Sequence, residues 1–120
     1  MVKVVHNNFG GTLGADGFPL FVGATSVESG VQNGFNAGTY AVTETQQFGY
    51  QFDGHSGDCD SSGDVVLQVG DVKTCTLTNS DIQPNLIVVK HVVNDNGGTA
   101  SAADFTMYVS ATSPSPASFA

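Results

Sequence analysis

The chain has 120 residues, of which 40% are hydrophobic and only 12% charged, with 15 Gly and no Trp. Three Lys and no Arg stand against eleven acidic residues, a formal charge of −8. Such a surface repels phosphate, which argues against nucleic acid or an anionic membrane as partner, and no apolar run approaches the roughly 18 residues of a membrane span.

The opening Met1-Val2-Lys3-Val4-Val5 lacks a secretory leader's long apolar region and small-residue cleavage site. Any export signal is therefore expected to have been removed or to lie outside this segment. Helical signals are nearly absent, because Gly or Asn interrupts almost every stretch before a 3.6 period can establish itself. Short runs of Val, Thr, Tyr and Phe between such breakers predict an all-β sandwich or barrel. In chain order, strands are expected near 2–6, 18–24, 31–35, 38–46, 49–53, 64–69, 72–79, 85–93 and 104–110.

Strand alternation assigns faces. In the run from Thr39 to Thr45 the larger apolar residues Tyr40 and Val42 share a face with Glu44, which carries Glu44 toward the core. In the run from Thr74 to Asn79 the same rule turns Cys75, Leu77 and Asn79 inward and three Thr outward. Lys3 is flanked by Val on both sides, so either orientation buries apolar groups and its face is open at this point.

An internal repeat runs through the chain. Lys3, Asn7, Gly10-Gly11-Thr12, Phe18, Val22 and Ala24-Thr25 recur as Lys90, Asn94, Gly97-Gly98-Thr99, Phe105, Val109 and Ala111-Thr112, at a constant offset of 87 positions. The offset is the size of a small sandwich. It predicts a complete module at 1–82, a junction at 83–85, and the opening strands of a second repeat at 86–120. Two strands alone are marginal in water, so the second repeat either continues in the parent protein or adds its strands to a neighbouring copy.

A carboxyl, a carboxamide and an amine facing one core are costly unless they satisfy one another. Such a trio also has chemistry available. An amine in an apolar setting gives up its proton more readily, and a buried carboxyl holds one. A neutral amine is a nucleophile, and a protonated carboxyl can polarise an amide and shuttle protons. Attack of Lys3 on Asn79 with Glu44 as proton shuttle would expel ammonia and leave an intramolecular isopeptide bond. The alternative is that Glu44 and Asn79 sit hydrogen-bonded and solvated at the rim.

The stretch Gly38-Thr39-Tyr40-Ala41-Val42-Thr43-Glu44, followed by Gly49-Tyr50, resembles the G-x-Y-x-L-x-E…G-Y signature of collagen-adhesin B-type, prealbumin-like domains of bacterial surface proteins and pili. The segments 90–99, 57–59 and 73–79 also resemble tandem prealbumin-like repeats of large prokaryotic surface proteins. The stretch between Glu44 and Gly49 is one residue shorter than the adhesin pattern and lacks its Ala-Pro. The resemblance spans essentially the whole chain and implies a Greek-key, seven-stranded, Ig-like sandwich. It further implies a self-catalysed crosslink between Lys3 and Asn79 with Glu44 as catalyst. Lys90 repeats the position of Lys3 and would meet Glu44 and Asn79 of a neighbouring copy if its segment docks in trans.

Cys59 and Cys75 are the only cysteines. In an acidic, exported-looking β-protein an even count points to a disulfide, which over this spacing contributes about 3 kcal/mol. Asp58, Asp60, Ser62 and Asp64 alternate in a Gly-rich loop like the first calcium ligands of an EF-hand, without its downstream Glu; a solvated acidic turn explains them equally well. Calcium is the one cofactor this pattern suggests, and His55 is a weak ligand candidate beside the two Cys. No nucleophile elbow, phosphate loop or zinc-protease motif occurs, so an enzyme acting on an external substrate is not expected. Asn79-Ser80-Asp81 lacks the hydroxyl of a glycosylation acceptor, while the Ser113-Pro114-Ser115-Pro116 tract suits an exposed extracellular chain.

The expected role is a structural repeat of a surface fibre, stalk or pilus-like filament. Its partners are neighbouring copies of itself, with a host or cell-surface ligand in addition if it adheres. The alternative is a calcium-dependent adhesin or a carbohydrate-binding module; the absent Trp argues against sugar stacking, with Tyr50, Phe52 and Tyr108 as the remaining platform.

Overall fold

The computed structural model describes residues 1–110 together with the backbone of residues 118–119. The chain divides into two compact units, Met1–Pro84 and Asn85–Ala120.

Seven strands build the first unit: β1 (Val2–His6), β2 (Leu20–Val22), β3 (Thr25–Val27), β4 (Gly38–Glu44), β5 (Tyr50–Gly57), β6 (Asp64–Leu67) and β7 (Cys75–Asp81). They form a three-stranded sheet in the order β1-β7-β5 and a four-stranded sheet in the order β3-β2-β4-β6. The first and last strands pair in parallel, Val2 opposite Thr76 through His6 opposite Ser80, and β5 runs antiparallel on the other side of β7. Every other residue of β7 is buried (Cys75, Leu77, Asn79 and Asp81), the signature of a strand with one face on a core. The core combines Phe18, Leu20, Val27, Val42, Val65 and Leu77 with both cysteines, each large side chain worth about 1.5–3 kcal/mol in transfer alone.

Sequence chemistry explains the connections. Gly23, at φ +57°, opens the two-residue turn that joins β2 to β3, with Val22 opposite Thr25. Gly57, at φ +78°, lies so close to the Thr74 carbonyl that a Cβ would come within 2.5 Å of it. The Cys59–Cys75 disulfide follows directly, with Cα atoms 5.1 Å apart, and ties the turn after β5 to the start of β7. The outer edge of β1 is covered: the Lys3 N–H donates to Ser29 Oγ at 2.9 Å and the Gly30 N–H to the Met1 carbonyl at 2.8 Å, which removes an open template for aggregation.

The second unit repeats the opening of the first in detail. The 3-10 turn Ala15–Gly17 has its counterpart at Ala102–Asp104. Asn7 Nδ2 donates to the Leu13 carbonyl at 2.9 Å, and Asn94 Nδ2 donates to the Ala100 carbonyl at the same distance. A short strand, β8 (Met107–Tyr108), stands where β2 begins and pairs antiparallel with β9 (Ser118–Phe119).

Three expectations for strands differ from the structure. Residues 31–35 form no strand; Gly30 takes φ +81° and the Asn33 side chain bonds back to the Val31 carbonyl, so the segment turns on itself. Residues 85–93 form none either. In the first unit the equivalent strand is held by β7, and the described residues of the second unit contain no strand equivalent to β7. The run at 18–24 is cut at Gly23, and β3, unforeseen, follows it. The Ser-Pro tract at 113–116 lies outside the described residues.

Candidate functional site

Lys3, Glu44 and Asn79 meet between the two sheets. The parallel register places Lys3 opposite Leu77, so its side chain leans along β7 by two residues, about 6.6 Å, to reach Asn79. There its Nζ donates a hydrogen bond to Asn79 Oδ1. The same Nζ donates to Glu44 Oε2 at 2.8 Å from the end of β4 in the facing sheet. The Lys3 and Glu44 side chains are 0% and 3% exposed, and Asn79 is fully buried. The ammonium also lies 4.4 Å from the centre of the Phe18 ring and 6.0 Å from that of Phe52, aromatic faces that attract a cation.

Two polar atoms of this trio have no hydrogen-bond partner, Glu44 Oε1 and Asn79 Nδ2. A buried polar atom without a partner is costly, and both atoms belong to the groups that would have to exchange protons in the ammonia-expelling reaction. The carboxamide nitrogen that would depart is the side-chain polar atom of Asn79 without a hydrogen bond, while Oδ1 accepts from Lys3. Chemically the arrangement brings an amine nucleophile, a carboxyl proton carrier and a carboxamide acyl donor into one buried site, where electrostatic effects are strongest.

A second cluster lies two residues further along β7. Asp81, only 5% exposed, accepts hydrogen bonds from the backbone N–H groups of Asn8 at 2.8 Å, Phe9 at 2.8 Å and Gly11 at 2.9 Å. Burial pushes its carboxyl pKa up, but the donors of Asn8, Gly11 and Phe9 together outweigh that and leave it below the ordinary aspartate value. Tyr50 stands beside it. Its hydroxyl donates to Asn7 Oδ1 at 2.7 Å and accepts from the Leu13 N–H at 3.0 Å, with its ring edge-on to Phe18.

The remaining sequence candidates fall elsewhere. Asp60 Oδ1 accepts from the Ser62 and Asp64 N–H groups, and Asp58 Oδ2 from the Thr74 N–H. Asp60 thus closes its own loop while Asp58 ties that loop to the residue before β7, and among the described residues no group of three His, Cys, Asp or Glu side chains converges as a metal site. His55 Nε2 donates to the Val42 carbonyl at 2.9 Å and its ring packs edge-on against Phe52. Tyr50 is engaged internally, and Tyr108 is exposed in the second unit. Lys90 lies 4.5 Å over the Phe105 ring, as Lys3 lies over Phe18.

Sequence reasoning passed over Phe18 and Asp81. The repeat had paired Phe18 with Phe105 at the same offset as the two lysines, which was the available signal. The alternation that turned Asn79 inward also reaches Asp81.

No helix among the described residues is long and apolar enough to cross a membrane. No curated protein and no solved structure gives a significant match. A family model described as the prealbumin-like fold domain, of the SpaA type, matches residues 1–77 and 81–120, in keeping with the all-β two-sheet architecture and the repeat. The chain belongs to the family of prealbumin-like fold domains.

Proposed function

We propose that this chain is a structural repeat of an extracellular surface fibre or pilus-like filament, its complete module closed by an isopeptide bond from Lys3 to Asn79. In the reaction the Lys3 ammonium passes a proton to Glu44. The neutral amine attacks Asn79 Cγ, a C–N bond forms, and the tetrahedral centre collapses with cleavage of the Cγ–Nδ2 bond. Nδ2 departs as ammonia after gaining the proton shed by the attacking nitrogen, relayed through Glu44, which retains the proton it first took from the ammonium until solvent or ammonia removes it. The observation that carries this reading is the convergence of one amine, one carboxylate and one carboxamide in one buried site. Membership of the SpaA-type family supports the surface setting, and the disulfide suits an oxidising compartment.

Intact mass spectrometry without reductant tests it. The expected mass falls short of the sequence sum by one ammonia for the isopeptide and two hydrogens for the disulfide. A protein that keeps its ammonia refutes the crosslink. Glu44→Ala should retain the ammonia, and its loss in that variant would remove Glu44 from the mechanism.

Lys90, on its own phenylalanine, is the amine of a second crosslink in this reading, its carboxylate and carboxamide supplied by a further copy of the module. Covalent multimers on a denaturing gel that vanish in Lys90→Ala would show linkage in trans.

A further inference from the structure

Resting on that reading, we infer that Asp81 is a positioning residue for the crosslink: its carboxylate clasps the loop after β1 and sets the register that delivers Lys3 to Asn79. The two strands concerned are parallel, and Asn79 and Asp81 share one face of β7. A slip of two residues would keep every side chain on its present face, yet it would move Lys3 from opposite Leu77 to opposite Cys75 or Asn79. Apolar burial discriminates weakly between such registers. Three hydrogen bonds from Asn8, Phe9 and Gly11 to one carboxylate discriminate strongly, because a slipped β1 would carry all three donors past their acceptor.

The second unit separates shaping the loop from fixing its place. There the equivalent loop keeps its form, with Asn94 bonded to the Ala100 carbonyl and Gly97 at φ +88° where Gly10 has +92°; a Cβ on Gly98 would lie 2.7 Å from Asn94 Oδ1, as one on Gly11 would lie 2.5 Å from Asn7 Oδ1. No strand equivalent to β7 is present among its described residues. The loop therefore folds without a carboxylate from a partner strand among the described residues, and what Asp81 adds is the attachment of that loop to the strand bearing Asn79. The contact is close: a Cβ on Gly11 would lie 2.9 Å from Asp81 Cβ and 2.5 Å from the Tyr50 hydroxyl.

The test uses the full chain in four forms: the parent, Asp81→Asn, Gly11→Ala and Val65→Ala. The asparagine keeps one acceptor oxygen but turns an N–H₂ toward backbone donors. Gly11→Ala disturbs the same clasp while leaving the carboxylate in place. Val65, buried on β6 in the other sheet, supplies a loss of stability unrelated to register. Each protein is confirmed as folded by dispersed amide spectra, and the ammonia-retaining fraction is followed over time by intact mass. Expected are folded Asp81→Asn and Gly11→Ala proteins that crosslink about 10–100-fold more slowly than the parent, the scale of displaced reacting groups, and a Val65→Ala protein that crosslinks at the parental rate. Parental rates in Asp81→Asn and Gly11→Ala overturn the inference. So does equal slowing in Val65→Ala, which would make the effect one of stability alone. Should neither clasp variant fold, Asp81 is a folding requirement and the positioning role is equally overturned. A parent that keeps its ammonia is a different failure, that of the crosslink itself.

Discussion

Replacing Asn79 with Leu separates a crosslinked module from one that merely hydrogen-bonds. Leucine keeps the branched shape of asparagine, and the Lys3–Glu44 ion pair survives the change. Without an isopeptide bond, the substitution removes one hydrogen bond from Lys3, worth about 1 kcal/mol, and with it the unpartnered Nδ2, whose removal gains about 1–3 kcal/mol. The variant should then match or exceed the parent in stability. With the bond, the parent's unfolded chain is closed over the 76 positions between Lys3 and Asn79, a restriction of about 4.5 kcal/mol by chain entropy. For a module of this size that corresponds to a fall in Tm of roughly 20–35 °C. Thermal unfolding by circular dichroism without reductant, alongside the intact mass of both proteins, reads the difference. A fall of less than about 8 °C would refute the covalent reasoning.

The disulfide closes 16 positions and should contribute about 3 kcal/mol; the double Cys→Ser variant, followed by urea unfolding, tests this, and a loss under about 1 kcal/mol would count against it. Phe18, 2% exposed and lying beneath the Lys3 ammonium, should cost about 3–5 kcal/mol when changed to Ala, and the variant should accumulate ammonia-retaining protein; full crosslinking would show that the ring is not needed to hold the amine. Asp81 has a folded pKa below its ordinary value, so its contribution is present above the ordinary aspartate range and is lost as pH falls through the folded value. The parent should therefore lose Tm on acidification below that range more steeply than Asp81→Asn, and parallel Tm–pH curves would contradict the assignment.

Much of this was legible because β-alternation is a strong signal wherever one face is buried. Tyr40, Val42 and Glu44 on β4, and Cys75, Leu77 and Asn79 on β7, followed directly from period two. Lys3 was not decidable, since valines flank it on both sides; what turns it inward is the cation-attracting face of Phe18 and the carboxylate of Glu44, both distant in sequence. The break at Gly23 was hidden because a single glycine in a strand pattern also reads as a bulge. The acidic run at Asp58–Asp64 was ambiguous in the sequence because an aspartate that caps its own backbone, as Asp60 does, uses the same alternate spacing as aspartates that hold a cation. Strand 85–93 looked as strong as 2–6, yet pairing depends on a neighbour and not on propensity alone.

The parallel pairing of β1 with β7 has a mechanical corollary. A pull on the two ends of the module acts in shear along a single ladder, so its hydrogen bonds must yield together instead of one after another. With the bond closed near the entry of β1 and the exit of β7, the load path bypasses everything from Val4 to Thr78. Hairpins, acidic turn and disulfide would then sit in a slack by-pass, off the line along which the proposed crosslink carries force.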